Sequence, residues 1–400
     1  MKFLFVTADK YPPFRVDVRV LFADEFSIRG HEIHWVMASE RPRKRAGVET
    51  LGNGRAWVGA SAAGESRLAK AARQIQIFLH DWRALLLLLR GGYDFVQVKD
   101  KFIFGAIMLL AAKLTRTPFV YWLAFPFPEA WLDEARSPVA RHPWVSWLRG
   151  HTARLILYKI ILPRADLVFV QSTGMRASIA TKGVPADLMV PVPMGVSAQL
   201  LESRDGPRAP EVTSPSVLYL GSMVRVRHLE TIVHAFRSVI EIVPNASLYF
   251  VGGENQADID FLRDEALRLG LAERIVFTGP LPRDEAFAYV RAADVCLSPI
   301  HPNPILDVAS PTKLVEYMAF AKPVVANEHP EQSQVVAASG GGVIVPWAAE
   351  RFASAVIELL QDPEHAAEMG RKGRDYVDRH RSYAIIAEHV EGAYRSRLRL

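Results

Sequence analysis

"YLGSMVRVRHLETIVHAF", residues 219–236, packs a strand end, a glycine, a short turn and an amphipathic helix into one span. The apolar run that ends at Gly221 ("SVLYLGS") reads as a buried β-strand, and the periodic apolar positions from about residue 228 read as a helix. A strand–glycine–turn–helix junction is how α/β sheets turn backbone N–H groups and a helix dipole toward phosphate. Ser222, Arg225, Arg227 and His228 gather at this junction. Neither G-x-G-x-x-G nor the P-loop pattern occurs in the chain, so the common dinucleotide and P-loop signatures are excluded.

The pattern repeats on both sides of this span. Downstream, "ASLYFVGG", "RIVFTGPL", "VCLSPI", "PVVAN" and "GGVIVPW" read as strands with helices between them. Upstream, "KFLFVTA", "HEIHWVMAS", "DFVQV", "PFVYW", "LVFVQS" and "LMVPVP" do the same, with helices through "DVRVLFADEFSIRG", "LAKAARQIQIFLHDWRALLLLLR" and "FIFGAIMLLAAKLT". Residues 40–66 read as a mobile stretch with short β-like pieces. Residues 197–215, with Pro, Gly and charge but little periodicity, read as a linker. Strands alternating with helices predict an α/β fold of two doubly wound, mostly parallel domains, 1–200 and 201–382. They are expected to face a central cleft, with the amphipathic segment 383–400 packing back on the first domain.

At 400 residues, half of them hydrophobic and 23% charged, the chain is long enough for two well-packed cores. The one cysteine, Cys296, rules out an internal disulfide framework and fits a reducing compartment. "MKFLFVTADK" reads as a buried strand and not a signal peptide, and no run approaches the ~20 apolar residues of a membrane span. Charge is uneven: residues 1–200 carry 27 Lys/Arg against 16 Asp/Glu, the remainder 21 against 27. The basic surplus includes "RPRKR" (41–45) and arginines along 136–164, interleaved with Trp131, Trp144 and Trp147. Basic residues among tryptophans point to an anionic membrane surface or an acidic, lipid-linked substrate; nucleic-acid signatures are absent.

"ASPTKLVEYMAFAKPVV" (309–325) carries a misplaced charge. Ser310 suits an N-cap and Pro311 the first helical position, where N3 would favour Glu. Lys313 stands there instead. A cation at a helix N-terminus costs about 0.3–1 kcal/mol unless an anion sits beside it. With Arg227 it predicts a diphosphate site, and Glu316, one turn inward, is placed for ribose hydroxyls or for an ordinary i,i+3 ion pair.

"GSMVRVRHLETIVHAF", "ASLYFVGG", "RIVFTGPLPRDEAFAYVRAADVCLSP" and "PTKLVEYMAFAKPVVAN" resemble, in order and spacing, the donor domain of GT-B glycosyltransferases, specifically retaining family 4. "RGHEIHWV" and "PRADLVFVQSTGM…VPVPMGV" resemble its first half. The resemblance implies that Arg227 stands for the family's phosphate-binding lysine, while the partner arginine falls on Ser222. The second member of its Glu-x7-Glu pair is Glu316; the first falls on Val308, which leaves neighbouring Asp307 as a carboxylate for the donor sugar. Catalytic roles fall on Arg227, Lys313 and Glu316. Donor contacts fall on Gly221, Ser222, Leu281, Arg283, Asp307, Pro311 and Thr312, with "GPLPR" (279–283) along the base.

The first half departs further from the family, with "KYPPFRVDVRV" in place of a glycine-rich loop and Ala124 in place of a frequent histidine. Local acceptor-side candidates are Lys10, Arg15, Asp17, Lys99, Asp100 and Glu129. The Asp-x-Asp at 258–260 reads as a solvated helix start and not an ion site, and no His/Cys cluster has zinc spacing, so neither metal nor cofactor is expected. The expected activity is metal-independent, retaining transfer from a nucleotide-diphospho-sugar to a glycan or lipid-linked acceptor. The expected location is cytoplasmic, peripheral on the inner membrane face. A nucleotide-sugar epimerase and a non-catalytic nucleotide-sugar-binding protein are the alternatives.

Overall fold

The computed structural model describes residues 1–400 except 65, 138–141, 204, 205 and 210. It divides into two compact units, Met1–Pro193 with Tyr383–Leu400, and Met194–Ser382.

The first unit is built on eight strands: β1 (Lys2–Tyr11), β2 (Glu32–Ser39), β3 (Gly47–Leu51), β4 (Gly54–Val58), β5 (Phe95–Lys99), β6 (Phe119–Leu123), β7 (Leu167–Val170) and β8 (Met189–Pro191). Their order is β3-β4-β2-β1-β5-β6-β7-β8, parallel except for the β3–β4 hairpin. Phe3, Leu4, Phe5 and Val6 are all fully buried, as expected of a strand covered on both faces. Phe3 stacks on Phe95 at 4.5 Å and meets Phe22, Phe26 and Tyr394 edge-on or tilted within 6.4 Å. Tyr394, Val390 and Ile386 come from the C-terminal helix Tyr383–Leu398, which closes this core.

Two local readings change. Residues 40–66, read as a mobile stretch, contain the β3–β4 hairpin. Leu51 pairs with Gly54 around a two-residue Gly-Asn turn with Gly52 at φ 60°. Gly54 lies so close to β2 that a Cβ there would overlap the Ile33 carbonyl, which period-2 patterning does not reveal. The segment read as one α-helix to Gly30 opens as a π-helix, Asp17–Glu25, before a short α-turn, Phe26–Ile28.

The second unit carries β9 (Ser216–Leu220), β10 (Ser247–Val251), β11 (Ile275–Gly279), β12 (Val295–Ser298), β13 (Val324–Asn327) and β14 (Gly342–Val345). All pairs are parallel, in the order β11-β10-β9-β12-β13-β14. The order reverses between β9 and β12, and ligands of such sheets bind beyond the carboxyl ends of the strands at that reversal. The helix Glu230–Ile242 buries Ile232, Val233 and Phe236 against Leu248 and Phe250 of β10.

The boundary lies between Pro193 and Met194, not after residue 200. Val196 bridges Ser382, and residues 198–202 form a helical turn instead of a linker. Arg291 donates to the Pro207 and Ser203 carbonyls at 2.7 and 3.1 Å; residues 204, 205 and 210 of the stretch read as a linker lie outside the described residues. No helix among the described residues is long and apolar enough to cross a membrane.

Candidate active site

Lys313 sits at the carboxyl edge of β9, on the helix Thr312–Ala319. The helix begins one residue later than read from the sequence: Pro311 is the N-cap, and no side chain caps it. Ser310 is diverted, since its Oγ accepts from the Met194 amide at 2.9 Å and donates to Glu331 at 2.6 Å. Arg381 closes that buried group on Glu331 at 3.0 Å. Lys313 is thus the second helical residue, still within the turn where the dipole disfavours a cation.

What holds it there is Tyr219. The Lys313 ammonium donates to Tyr219 Oη at 2.8 Å and lies 4.2 Å from the ring centroid. Tyr219 Oη in turn donates to the Ser222 carbonyl at 2.7 Å, so the lysine is fixed to the strand-end turn. Gly221 makes this possible. Its φ is 139°, and a Cβ there would come within 2.6 Å of Lys313 Cε. Tyr317, one turn further along the helix, accepts from the Leu220 amide at 2.7 Å.

The site is positive and under-neutralised. Burial, then the neighbouring Arg227, pushes the Lys313 ammonium well below the usual lysine range, while Glu316 pulls the other way. No ion pair to Lys313 forms among the described residues, so the i,i+3 pair with Glu316 does not close. Arg227 ends a 3-10 turn, Arg225–Arg227, and its Nε is buried without a hydrogen-bond partner. The Glu316 side chain makes no hydrogen bond or ion pair among the described residues; burial raises its carboxyl to about 7 against the pull of Arg283 and Lys313. Two cations, a helix end and an unsatisfied carboxylate together leave the hydrogen-bonding capacity that a diphosphate and a vicinal diol would fill.

The other donor-side candidates differ in character. Pro311 and Thr312 form the helix head beside Lys313. Leu281 packs on the core, and exposed Arg283 lies over the Phe287 ring at 5.1 Å. The Asp307 side chain has no hydrogen bond or ion pair among the described residues, while Val308 is buried. Arg225 turns away, paired with Asp258 at 3.5 Å and laid over Phe261. Asp260 bonds Gln256 and Arg263, and no group of three or more His, Cys, Asp or Glu among the described residues is arranged to hold a metal. Sequence reading missed Tyr219 and His301. The His301 ring lies 4.1 Å from that of His228, and its Nδ1 is buried without a partner.

In the first unit, four of the six acceptor-side candidates meet at the carboxyl edge of the sheet. Fully buried Lys99 bonds Asp9 at 2.6 Å and Asp17 at 3.2 Å, and Arg15 pairs with Asp17 at 3.0 Å. Burial works to raise the Asp17 carboxyl, but Lys99 and Arg15 prevail and hold it at about 2. Asp100, at φ 55°, accepts from the Ala124 amide at 3.0 Å, and burial lifts its carboxyl to about 6. Asp9, fixed further by Thr7, is the member the sequence reading overlooked. Lys10 and Glu129 do not join. Strand alternation turns Lys10 outward to a surface pair with Glu40 at 3.0 Å, and Glu129 accepts from Tyr158 at 2.8 Å.

Removing Lys99 would leave Asp9 and Asp17 buried without their main cation. Lys99→Ala is expected to lower unfolding free energy at pH 7 by about 3–5 kcal/mol, against no measurable change for Lys10→Ala. Arg15 still pairs with Asp17 at 3.0 Å, so without Lys99 the Asp17 carboxyl is held less far below its unfolded value. The part of the deficit that Asp17 contributes should therefore stay constant above about pH 4 and narrow as pH falls below it, which urea unfolding at about pH 7 and about pH 3 would measure.

Comparison with known proteins bears on the family of the chain. A "Glycosyl transferases group 1" family model matches residues 214–362, and a "Glycosyltransferase Family 4" model matches residues 20–200. A GDP-mannose-dependent alpha-(1-6)-phosphatidylinositol monomannoside mannosyltransferase of Mycobacterium tuberculosis is 30% identical over 243 residues, 58% of this chain and 62% of that protein. The D-inositol 3-phosphate glycosyltransferase of Segniliparus rotundus is 28% identical over 216 residues, 52% of this chain and 47% of that protein. The chain thus matches less than two thirds of the length of these relatives. Among solved structures, sucrose-phosphate synthase from Thermosynechococcus elongatus superposes with a TM-score of 0.74 at 20% identity over 99% of both chains. The Anabaena protein HepE in complex with UDP-glucose gives 0.69 at 15% identity, over 99% of this chain and all of that one. Two parallel-sheet units, their strand orders and both family models lead to one assignment: the chain belongs to glycosyltransferase family 4, on the GT-B plan of two Rossmann-like domains.

Proposed function

We propose that the chain transfers a sugar from a nucleotide-diphospho-sugar to an acceptor with retention at the anomeric carbon, and that the second unit binds the donor. Lys313 carries this reading: a lysine pinned by Tyr219 at the positive end of a helix, with no carboxylate paired to it among the described residues. Departure of the nucleotide develops negative charge on the diphosphate. Lys313, Arg227 and the first amides of the helix are preorganised to stabilise that charge. Because the ammonium is held before substrate arrives, little reorganisation accompanies the step. Glu316, ionised, accepts hydrogen bonds from ribose hydroxyls. Retention follows if the acceptor attacks the face the nucleotide leaves, where the diphosphate oxygens can take its proton and no separate strong base is needed. The acceptor side belongs to the first unit, where Asp100 offers a carboxyl that titrates about 6. The relatives named for phosphatidylinositol mannosides support a lipid-linked acceptor met at a membrane surface.

Lys313→Ala and Arg227→Ala are each expected to lower kcat about 10²–10³-fold with the far-UV circular dichroism spectrum unchanged. Turnover like the wild type's in either purified variant would remove these residues from the mechanism.

The two buried titrations set opposite limits on nucleotide binding. Below about pH 7 Glu316 takes up a proton and loses acceptor capacity; on the alkaline side Lys313 loses its charge earlier than an ordinary lysine. Affinity for a nucleoside diphosphate should therefore peak between these limits. It should fall up to about tenfold per pH unit on the acid limb, and Glu316→Gln should flatten that limb alone. Calorimetry from pH 5.5 to 9 would check both.

A further inference from the structure

The first unit holds a cavity of about 660 Å³ that the donor chemistry does not use. Ala8, Lys10 and Ala38, near the carboxyl ends of β1 and β2, line it at the edge where such sheets present ligands. Its walls are mainly apolar, with Ile77 and Phe78 from the helix Arg67–Arg90, Phe104, Trp131 and Leu148, and Gln74 and Thr152 as neutral polar members. Its buried charges are already satisfied. Lys101 bonds both carboxylate oxygens of Asp81 at 2.6 and 2.7 Å, and neither side chain is more than 9% exposed. Lys10 is paired with Glu40.

One lining cation is different. Arg149 lies over the Trp131 ring, 3.7 Å from its centroid, is solvent-exposed, and has no ion pair among the described residues. Around it the rim is greasy: Ile103 is 60% exposed, Leu148 53%, and Phe78 41%. Exposed Ile75, Phe78, Leu79, Trp82, Leu86 and Leu89 continue this surface along the helix Arg67–Arg90 at helical spacing. A patch of this kind on a soluble chain marks an interaction site. The basic surplus of residues 1–200 sets the sign of the partner's charge.

Mainly apolar walls, neutralised buried charges and, among the described residues, one unpaired lining cation at the rim specify a ligand with a long apolar body and one anionic end. We propose that this cavity holds the hydrocarbon chain of a phosphate-headed lipid, with the phosphate at Arg149. The volume lies within the roughly 300–1,000 Å³ of small-molecule sites, and a protein partner would instead need a surface of about 800 Å². The rim and the helix face then rest on the lipid surface from which the chain is drawn. This names the acceptor class for the transfer proposed above and rests on that reading for the sugar the lipid receives; lipid binding itself does not depend on the donor site.

The test is calorimetric titration of the full-length chain with dodecyl phosphate below its micelle concentration, alongside dodecyl maltoside and inorganic phosphate. Saturable one-to-one binding of dodecyl phosphate, at least tenfold tighter than dodecyl maltoside and with no signal from inorganic phosphate, is expected. Thr152→Trp, an exposed lining position where a larger side chain fills the cavity, should weaken it at least tenfold and leave nucleoside diphosphate binding unchanged. Arg149→Gln should abolish the preference for the phosphate head. No binding of dodecyl phosphate, equal binding by wild type and Thr152→Trp, or a concentration-dependent dimer that occludes the cavity would each overturn the proposal. Dodecyl phosphate binding by a chain that binds no nucleoside diphosphate would support this site and sink the transfer reading.

Discussion

The chemistry proposed for the second unit depends on a lysine held where helix electrostatics disfavour it. Lys313 crosses the strand-end turn because Gly221 has no side chain, and it stays there because Tyr219 gives its ammonium both a hydrogen-bond acceptor and a ring face. Tyr219 is itself tied to Ser222, so the position of the charge is set by the β9 turn and not by the flexible lysine stem. The proximity of Arg227 adds repulsion, and the nearby carboxylate, Glu316, does not close an ion pair. Such an arrangement is poor for stability and well suited to a dianionic ligand, which removes the repulsion on binding.

Lys99 in the first unit shows the opposite use of a buried cation. Two aspartates meet it directly, Asp17 also engages Arg15, and the Asp17 carboxyl is held far below its ordinary range. That lysine is compensated and positions the loop after β1. Asp100 stands beside the same cluster in a left-handed conformation unusual for a residue other than glycine, with its carboxyl raised instead of lowered. Neighbouring carboxylates with pKa values pushed apart can divide structural and chemical roles between them.

Much of this was legible in the chain. Two rounds of strand–helix alternation set the α/β class, and the cation at "SPTKLVEYM" pointed to the candidate site described above. What stayed hidden depends on tertiary contacts. Ser310 looks like an N-cap, yet Glu331 and the Met194 amide claim its hydroxyl, so the helix starts a residue later. Asp9 sits at a strand end among ordinary surface charges, and only the fold brings Lys99 to it across β1 and β5. The hairpin in 40–66 depends on Gly54 fitting against Ile33, a close approach that local propensity does not encode. Arg291 likewise holds Ser203 and Pro207 to the second unit although their composition reads as linker.

The most direct measurement is a crystal structure of the full-length chain soaked with a nucleoside diphosphate. The prediction is a diphosphate within hydrogen-bond distance of Lys313 Nζ and the Arg227 guanidinium, with the ribose hydroxyls on Glu316. A nucleotide bound elsewhere, with Lys313 still resting on Tyr219 and out of contact with phosphate, would contradict the account.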